Sequence, residues 1–158
     1  MIDPAQLLTA VIRPVLVNLE LWSEKAERLI LGTALQESEC GRWILQLGGG
    51  PGLGIYQMET ATHNDIWANY LAYQPTLVEK IVRHAAGVHG NSADELVGNL
   101  CYATAMCRVH YLRDPEPIPD YLVGQATYWK RVYNTKAGKG TVNQYMAAWS
   151  RYIPAGIL

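Results

Sequence analysis

Residues 34–62 read ALQESECGRWILQLGGGPGLGIYQMETAT. The stretch opens at the end of an apolar segment in which Ala26, Leu29, Ile30, Thr33, Ala34 and Glu37 recur at helical spacing. It continues through a glycine-rich connection that no helix survives. It closes on Gln57, Met58 and Glu59, just before another helix start. A carboxylate at the C-terminal end of a helix gains nothing from the helix dipole, and burial there raises its pKa. One acid held by a packed helix beside an irregular polar wall is what an active-site cleft needs. The chain reads as an enzyme built round Glu37.

Within that stretch, Gly41 is the expected helix stop. WILQL and LGIYQM are expected as two short strands of a small hairpin or irregular sheet, joined by a turn at Gly48–Gly52. The glycine run lacks the Lys-Ser/Thr of a phosphate-binding loop, so a tight turn is its reading.

Outward from there, the chain is helical. Asp3-Pro4 is a helix start, an N-cap followed by proline at the first helical position, and Pro14 is expected to end or kink that helix. Ser23 caps the helix that carries Glu37. Capping-box spacings at Thr62–Asp65, Thr76–Glu79, Ser92–Glu95 and Thr141–Gln144 open further helices, the last three over about 77–87, 93–112 and 142–152. The 93–112 helix carries Leu96, Leu100, Ala103 and Cys107 on one face and is expected at the centre of the core. The run from Asp114 to Pro119, with three prolines, is an extended linker. Asp120 is a candidate cap for the helix that follows. The expected architecture is mostly α, an α+β arrangement over a single domain, 1–158: a helical bundle with one small β or irregular lobe after the Glu37 helix.

The totals set limits. A formal charge of -1, with Lys and Arg spread along the chain, gives no basic stripe for nucleic acid. The 3 cysteines are odd in number and form no C-x-x-C, so free thiols are expected. His63, His84, His89 and His110 show no metal-binding spacing, so neither a metal nor a cofactor is expected. The N-terminal segment is interrupted by Asp3, Pro4, Arg13 and Pro14, which fits neither a signal peptide nor a membrane helix. There is no Phe, but there are 5 Trp and 10 Tyr, residues that serve a core or a sugar-binding surface.

Three motifs together resemble a known family. Glu37-Ser38 looks like the Glu-Ser pair of lysozyme-like lytic transglycosylases, of the goose-type lysozyme superfamily. Gly54 to Thr62, GIYQMETAT, is similar to that family's G-L-M-Q, M-P and T-A motif. Val132-Tyr133-Asn134 followed by Gly138-Lys139-Gly140 looks like its A-Y-N-A-G-x-G motif. They run in the family's order. The chain departs from the pattern in three places: one residue is missing between Gln57 and Met58, Glu59 stands in place of proline, and two residues, Lys136 and Ala137, are extra before Gly138.

The resemblance implies cleavage of the β-1,4 bond between N-acetylmuramic acid and N-acetylglucosamine in peptidoglycan. Glu37 would act as acid and then base, and attack by the muramyl 6-hydroxyl would give a 1,6-anhydro product. Ser38, Gln57, Met58, Glu59, Tyr133 and Asn134 would line the substrate cleft. Hydrolysis, the alternative, would call on a second carboxylate from Glu59, Asp65 or Glu39. A wall-binding or virion structural module on the same fold is the non-catalytic alternative. The partner implied is a glycan strand, with no nucleic acid and no stable membrane insertion. The chain looks most like bacteriophage-encoded members, which implies a monomer carried in the particle or held in the host before release to the wall.

Overall fold

Asp3 caps the first helix as expected, its Oδ1 accepting the Gln6 N–H at 3.0 Å. In this computed structural model, which describes residues 1–86, 91–135 and 138–153, helix α1 is one continuous rod. It runs through Pro4–Gln6, a π-helical segment Leu7–Ile12, and Arg13–Asn18. Pro14 therefore does not end the helix. Proline lacks an N–H and its ring presses on the preceding turn. The widened π segment just before it accommodates both.

Helix α2, Glu24–Ser38, begins where Ser23 accepts the Ala26 N–H at 3.2 Å. It is buried on nearly every side from Leu29 to Leu35, so it shares the centre of the fold with the later helix assigned that place from sequence. Gly32 lets it touch the C-terminal helix: a Cβ there would lie 1.9 Å from the Tyr145 hydroxyl. The helix ends earlier than Gly41. Glu39 and Cys40 already adopt left-handed backbone, with φ of 48° and 52°, and the Cys40 N–H closes the end on the Ala34 carbonyl at 3.0 Å.

The lobe that follows differs from the expected hairpin. Strand β1, Gly52–Leu53, pairs antiparallel with β2, Met58–Glu59, in the register Gly52↔Glu59 and Leu53↔Met58. The segment LGIYQM folds back on itself instead of forming one strand. Gly54 at φ 69° and Gln57 at φ 49° make that turn possible, and the Gln57 N–H donates to the Gly54 carbonyl at 3.1 Å. WILQL contributes only a bridge, Leu45 to Leu53, flanked by bonds from Gln46 N–H to Gly52 O and from Gly54 N–H to Ile44 O.

Helix α3, Thr60–Asn69, starts before the Thr62 spacing, with Glu59 at its N-cap. After a single 3-10 turn, Leu71–Tyr73, helix α4 spans Pro75–Val82. Proline takes its first position and leaves Thr76 inside the helix, so the box at Thr76 does not form. The expected 93–112 helix is two: α5, Glu95–Gly98, and α6, Leu100–Leu112. Asn99 interrupts them in extended backbone, and its Oδ1 caps α6 through the Tyr102 N–H at 3.1 Å. The proline linker is non-helical. Helix α7, Leu122–Trp129, is capped by Tyr121 backbone and not by Asp120, whose carboxylate pairs with Lys25 instead. It runs on as a π-helical segment, Lys130–Asn134. Helix α8, Val142–Tyr152, carries the expected capping box between Thr141 and Gln144.

The core is mostly helical and spans α1, α2, α6, α7 and α8. All three cysteines are free thiols. Among the described residues no helix is long and apolar enough to cross a membrane, and no group of acidic, His or Cys side chains could hold a metal ion. His89, Lys136 and Ala137 lie outside the described residues.

Candidate active site

Glu37 stands in the last turn of α2, where the helix is about to be broken by left-handed residues. Its Oε1 accepts a hydrogen bond from the indole Nε1–H of Trp129 on α7 at 2.9 Å. Its main-chain carbonyl accepts from the Trp43 indole at 3.1 Å. No cation pairs with the carboxylate, and Oε2 has no hydrogen-bond partner among the described residues. The residue is partly open to solvent at its edge.

Burial pushes the Glu37 pKa from 4.5 to about 7, against a smaller downward pull from the Trp129 hydrogen bond. The cause is desolvation: the surroundings cannot solvate a carboxylate as water does, and no positive charge substitutes. A carboxyl with that pKa is about half protonated at pH 7, against about 0.3% for an ordinary one. A group with that pKa can give up a proton and take one back near neutral pH.

The three motif segments meet around this group. Ser38 Oγ donates to the Ile55 carbonyl at 2.6 Å and accepts from the Gly41 N–H at 2.8 Å. It ties the end of α2 to the Gly54–Gln57 turn. Tyr133, on the π segment after α7, donates its hydroxyl to the Tyr56 carbonyl at 2.9 Å in the same turn. Its ring stacks on Tyr111, 5.3 Å between centroids, and lies 4.7 Å from the ring of His110. Lys130 Nζ bridges Asn134 Oδ1 and the Gly138 carbonyl, both at 2.7 Å. A side chain at Gly140 would strike the Trp129 ring at 2.6 Å. Gly140 is thus small because it packs against the tryptophan that holds Glu37, while Gly138 makes room for Asn134.

Several expected cleft residues have other positions. Ser38 is fully enclosed and Met58 is 3% exposed. Both fasten the turn from inside and cannot line an open cleft. Gln57 donates its side-chain N–H to Gly54 O at 2.7 Å, and its Oε1 is buried with no partner. Asn134 holds the glycine segment. Glu59 is exposed at the start of α3.

Two of the three other candidate carboxylates are taken, and exposed Glu59 is not. Asp65 is held by Arg113 at 2.6 Å and by Asn69 at 2.7 Å, which lower its pKa. Glu39 is held by Arg42 at 2.9 Å and by the Tyr152 hydroxyl at 2.8 Å, and its pKa is also lowered. A further buried acid, Glu27 in the first turn of α2, is occupied by Arg13 through both oxygens and by the Trp22 indole. Glu37 differs from these three in having no cationic partner.

Compared with protein-family models, curated proteins and solved structures, the chain matches none of them.

Trp129 and Trp43, the two indoles that hold Glu37, were not singled out from sequence. Only Gly140, which packs on the Trp129 ring, bears on that residue in the motif segment, and its partner Glu37 lies 92 positions away.

Proposed function

We propose that the protein cleaves the β-1,4 bond between N-acetylmuramic acid and N-acetylglucosamine in peptidoglycan, as a lytic transglycosylase with Glu37 as its acid/base. The observation that carries this reading is Glu37 itself: a partly exposed carboxyl with a pKa of about 7, one free oxygen and no cationic partner. The resemblance of the three motifs supplies the substrate class and the lysozyme-like assignment of the fold. Asp65 and Glu39 are held in ion pairs, which leaves exposed Glu59 as the second carboxylate that hydrolysis would need; the resemblance favours the one-carboxylate reaction.

In that reaction the protonated Glu37 gives its proton to the glycosidic oxygen as the C1–O bond breaks. The N-acetylglucosamine part leaves with a free 4-hydroxyl. The muramyl 6-hydroxyl bonds to C1 on the same sugar, and its proton passes to the Glu37 carboxylate. No water is consumed and Glu37 ends protonated, as it began. A pKa near 7 serves both steps, because the group must lose and regain the proton with little bias.

Digestion of purified peptidoglycan by wild-type protein and by Glu37→Gln, read by mass spectrometry, tests this. Anhydromuramyl ends from wild type, lost in the variant, are expected. Reducing muramyl ends would replace the proposal with hydrolysis and direct attention to Glu59. Murein binding without soluble product would replace it with a wall-binding or virion structural role. Equal activity in Glu37→Gln would end the claim for Glu37.

A further inference from the structure

Among the described residues, Arg108 meets no carboxylate. It lies on α6, half-buried, and burial pulls its pKa below the usual value. Its Nε–H makes one long contact, 3.5 Å to the Leu21 carbonyl. Its two terminal nitrogens make no hydrogen bond among the described residues, and no carboxylate pairs with it. The contrast with the other arginines is plain. Arg13, Arg28, Arg42, Arg113, Arg131 and Arg151 each meet a carboxylate, and Arg83 is exposed. Neither terminal nitrogen is among the buried side-chain atoms without a partner, so the guanidinium fork reaches solvent and is open to an anion.

The guanidinium lines a cavity of about 220 Å³ between α6, the proline linker and α7. Leu112, Ile118 and the Tyr128 ring give it apolar walls, while Asp114 and Glu116 also line it. Both Asp114 oxygens already accept from Arg131, at 2.6 and 3.0 Å, which leaves Arg108 without them.

We infer that this cavity binds a small monoanionic carboxylate carrying a short apolar group, with the carboxylate on Arg108. A planar carboxylate matches the guanidinium fork through two parallel hydrogen bonds. The two acidic side chains at the cavity repel a doubly charged ion such as phosphate. The apolar walls reward a methyl or similar group beside the carboxylate. The volume, roughly that of seven waters, admits a molecule the size of N-acetylalanine.

The test is titration of the intact protein with N-acetylalanine, its methyl ester, and inorganic phosphate. The readouts are thermal unfolding and the Arg108 Nε–H signal in nitrogen-15 NMR. Saturable binding of the acid that shifts this signal is expected, with the ester and phosphate at least about tenfold weaker, the size expected from losing a charge-assisted hydrogen bond. In Arg108→Met the acid should lose about tenfold or more in affinity. No saturable binding, equal binding of the ester, or unchanged affinity in Arg108→Met would overturn the inference. If that variant does not fold, the wild-type signal decides: an Arg108 Nε–H unmoved by saturating acid overturns it. The titration needs neither murein nor turnover, so it stands apart from the fate of the glycan-cleavage proposal.

Discussion

Replacing Glu37 with glutamine should stabilise the protein at alkaline pH and do little at acid pH. Glutamine keeps the side-chain shape, and its amide oxygen can accept the Trp129 indole hydrogen bond as Oε1 does now. What it removes is the ionised form. In the folded chain the Glu37 pKa is raised from 4.5 to about 7. The folded state therefore holds this proton more tightly than the unfolded state does. Its contribution to stability is fully present below pH 4.5 and is lost as pH rises through 7. A shift of that size corresponds to about 3 kcal/mol. The stability difference between Glu37→Gln and wild type should then grow by about 3 kcal/mol from pH 4 to pH 8. Near the unfolding midpoint that is about 6–12 °C for a chain of this size. Urea unfolding of both proteins at a series of pH values measures it, since titrations elsewhere in the fold cancel in the difference. A difference that stays flat across that range would mean that Glu37 titrates as an ordinary exposed carboxyl, and the argument for an acid/base role would fail with it.

Two further outcomes follow from the packing around the site. Trp129→Phe removes the one hydrogen bond that favours the ionised form of Glu37, so a carbon-13 titration of the carboxyl should show its midpoint moving above 7; a midpoint that falls would mean that water entering the vacated space solvates the carboxylate instead. Gly32→Ala forces a methyl into the Tyr145 hydroxyl and should cost about 2 kcal/mol or more, read by urea unfolding; Gly54→Ala, which meets the Leu96 carbonyl and has a φ of 69°, should cost more, and an equal or smaller loss there would count against the turn geometry.

The local rules that read correctly from sequence were those that close within a few residues. The caps at Asp3, Ser23 and Thr141 each satisfy the N–H three positions on, so nothing distant can overrule them. The apolar periodicity of α2 placed Glu37 at the end of a buried stripe, because burial of that helix follows its spacing. The failures have a common cause. Asn99 breaks a helix because it caps the next one and bonds to the His84 carbonyl at 2.6 Å, a contact set by tertiary packing. The LGIYQM segment folds back because Gly54 must pass against Leu96. Ser38 and Met58 fit a motif as polymer text, yet the text does not say whether a matched residue faces the cleft or fastens its wall. The hold of Trp129 on Glu37 spans most of the chain and leaves no local trace.

That last contact gives the chain an order of assembly. A ribosome delivers α2 long before α7, and the segments reach solution in that sequence. In the unfolded chain the Glu37 carboxyl faces water and ionises like any surface acid. The proton that makes it chemically useful at neutral pH is bound only after the C-terminal third has folded onto the rest. Only the folded molecule carries a carboxyl that is about half protonated at pH 7.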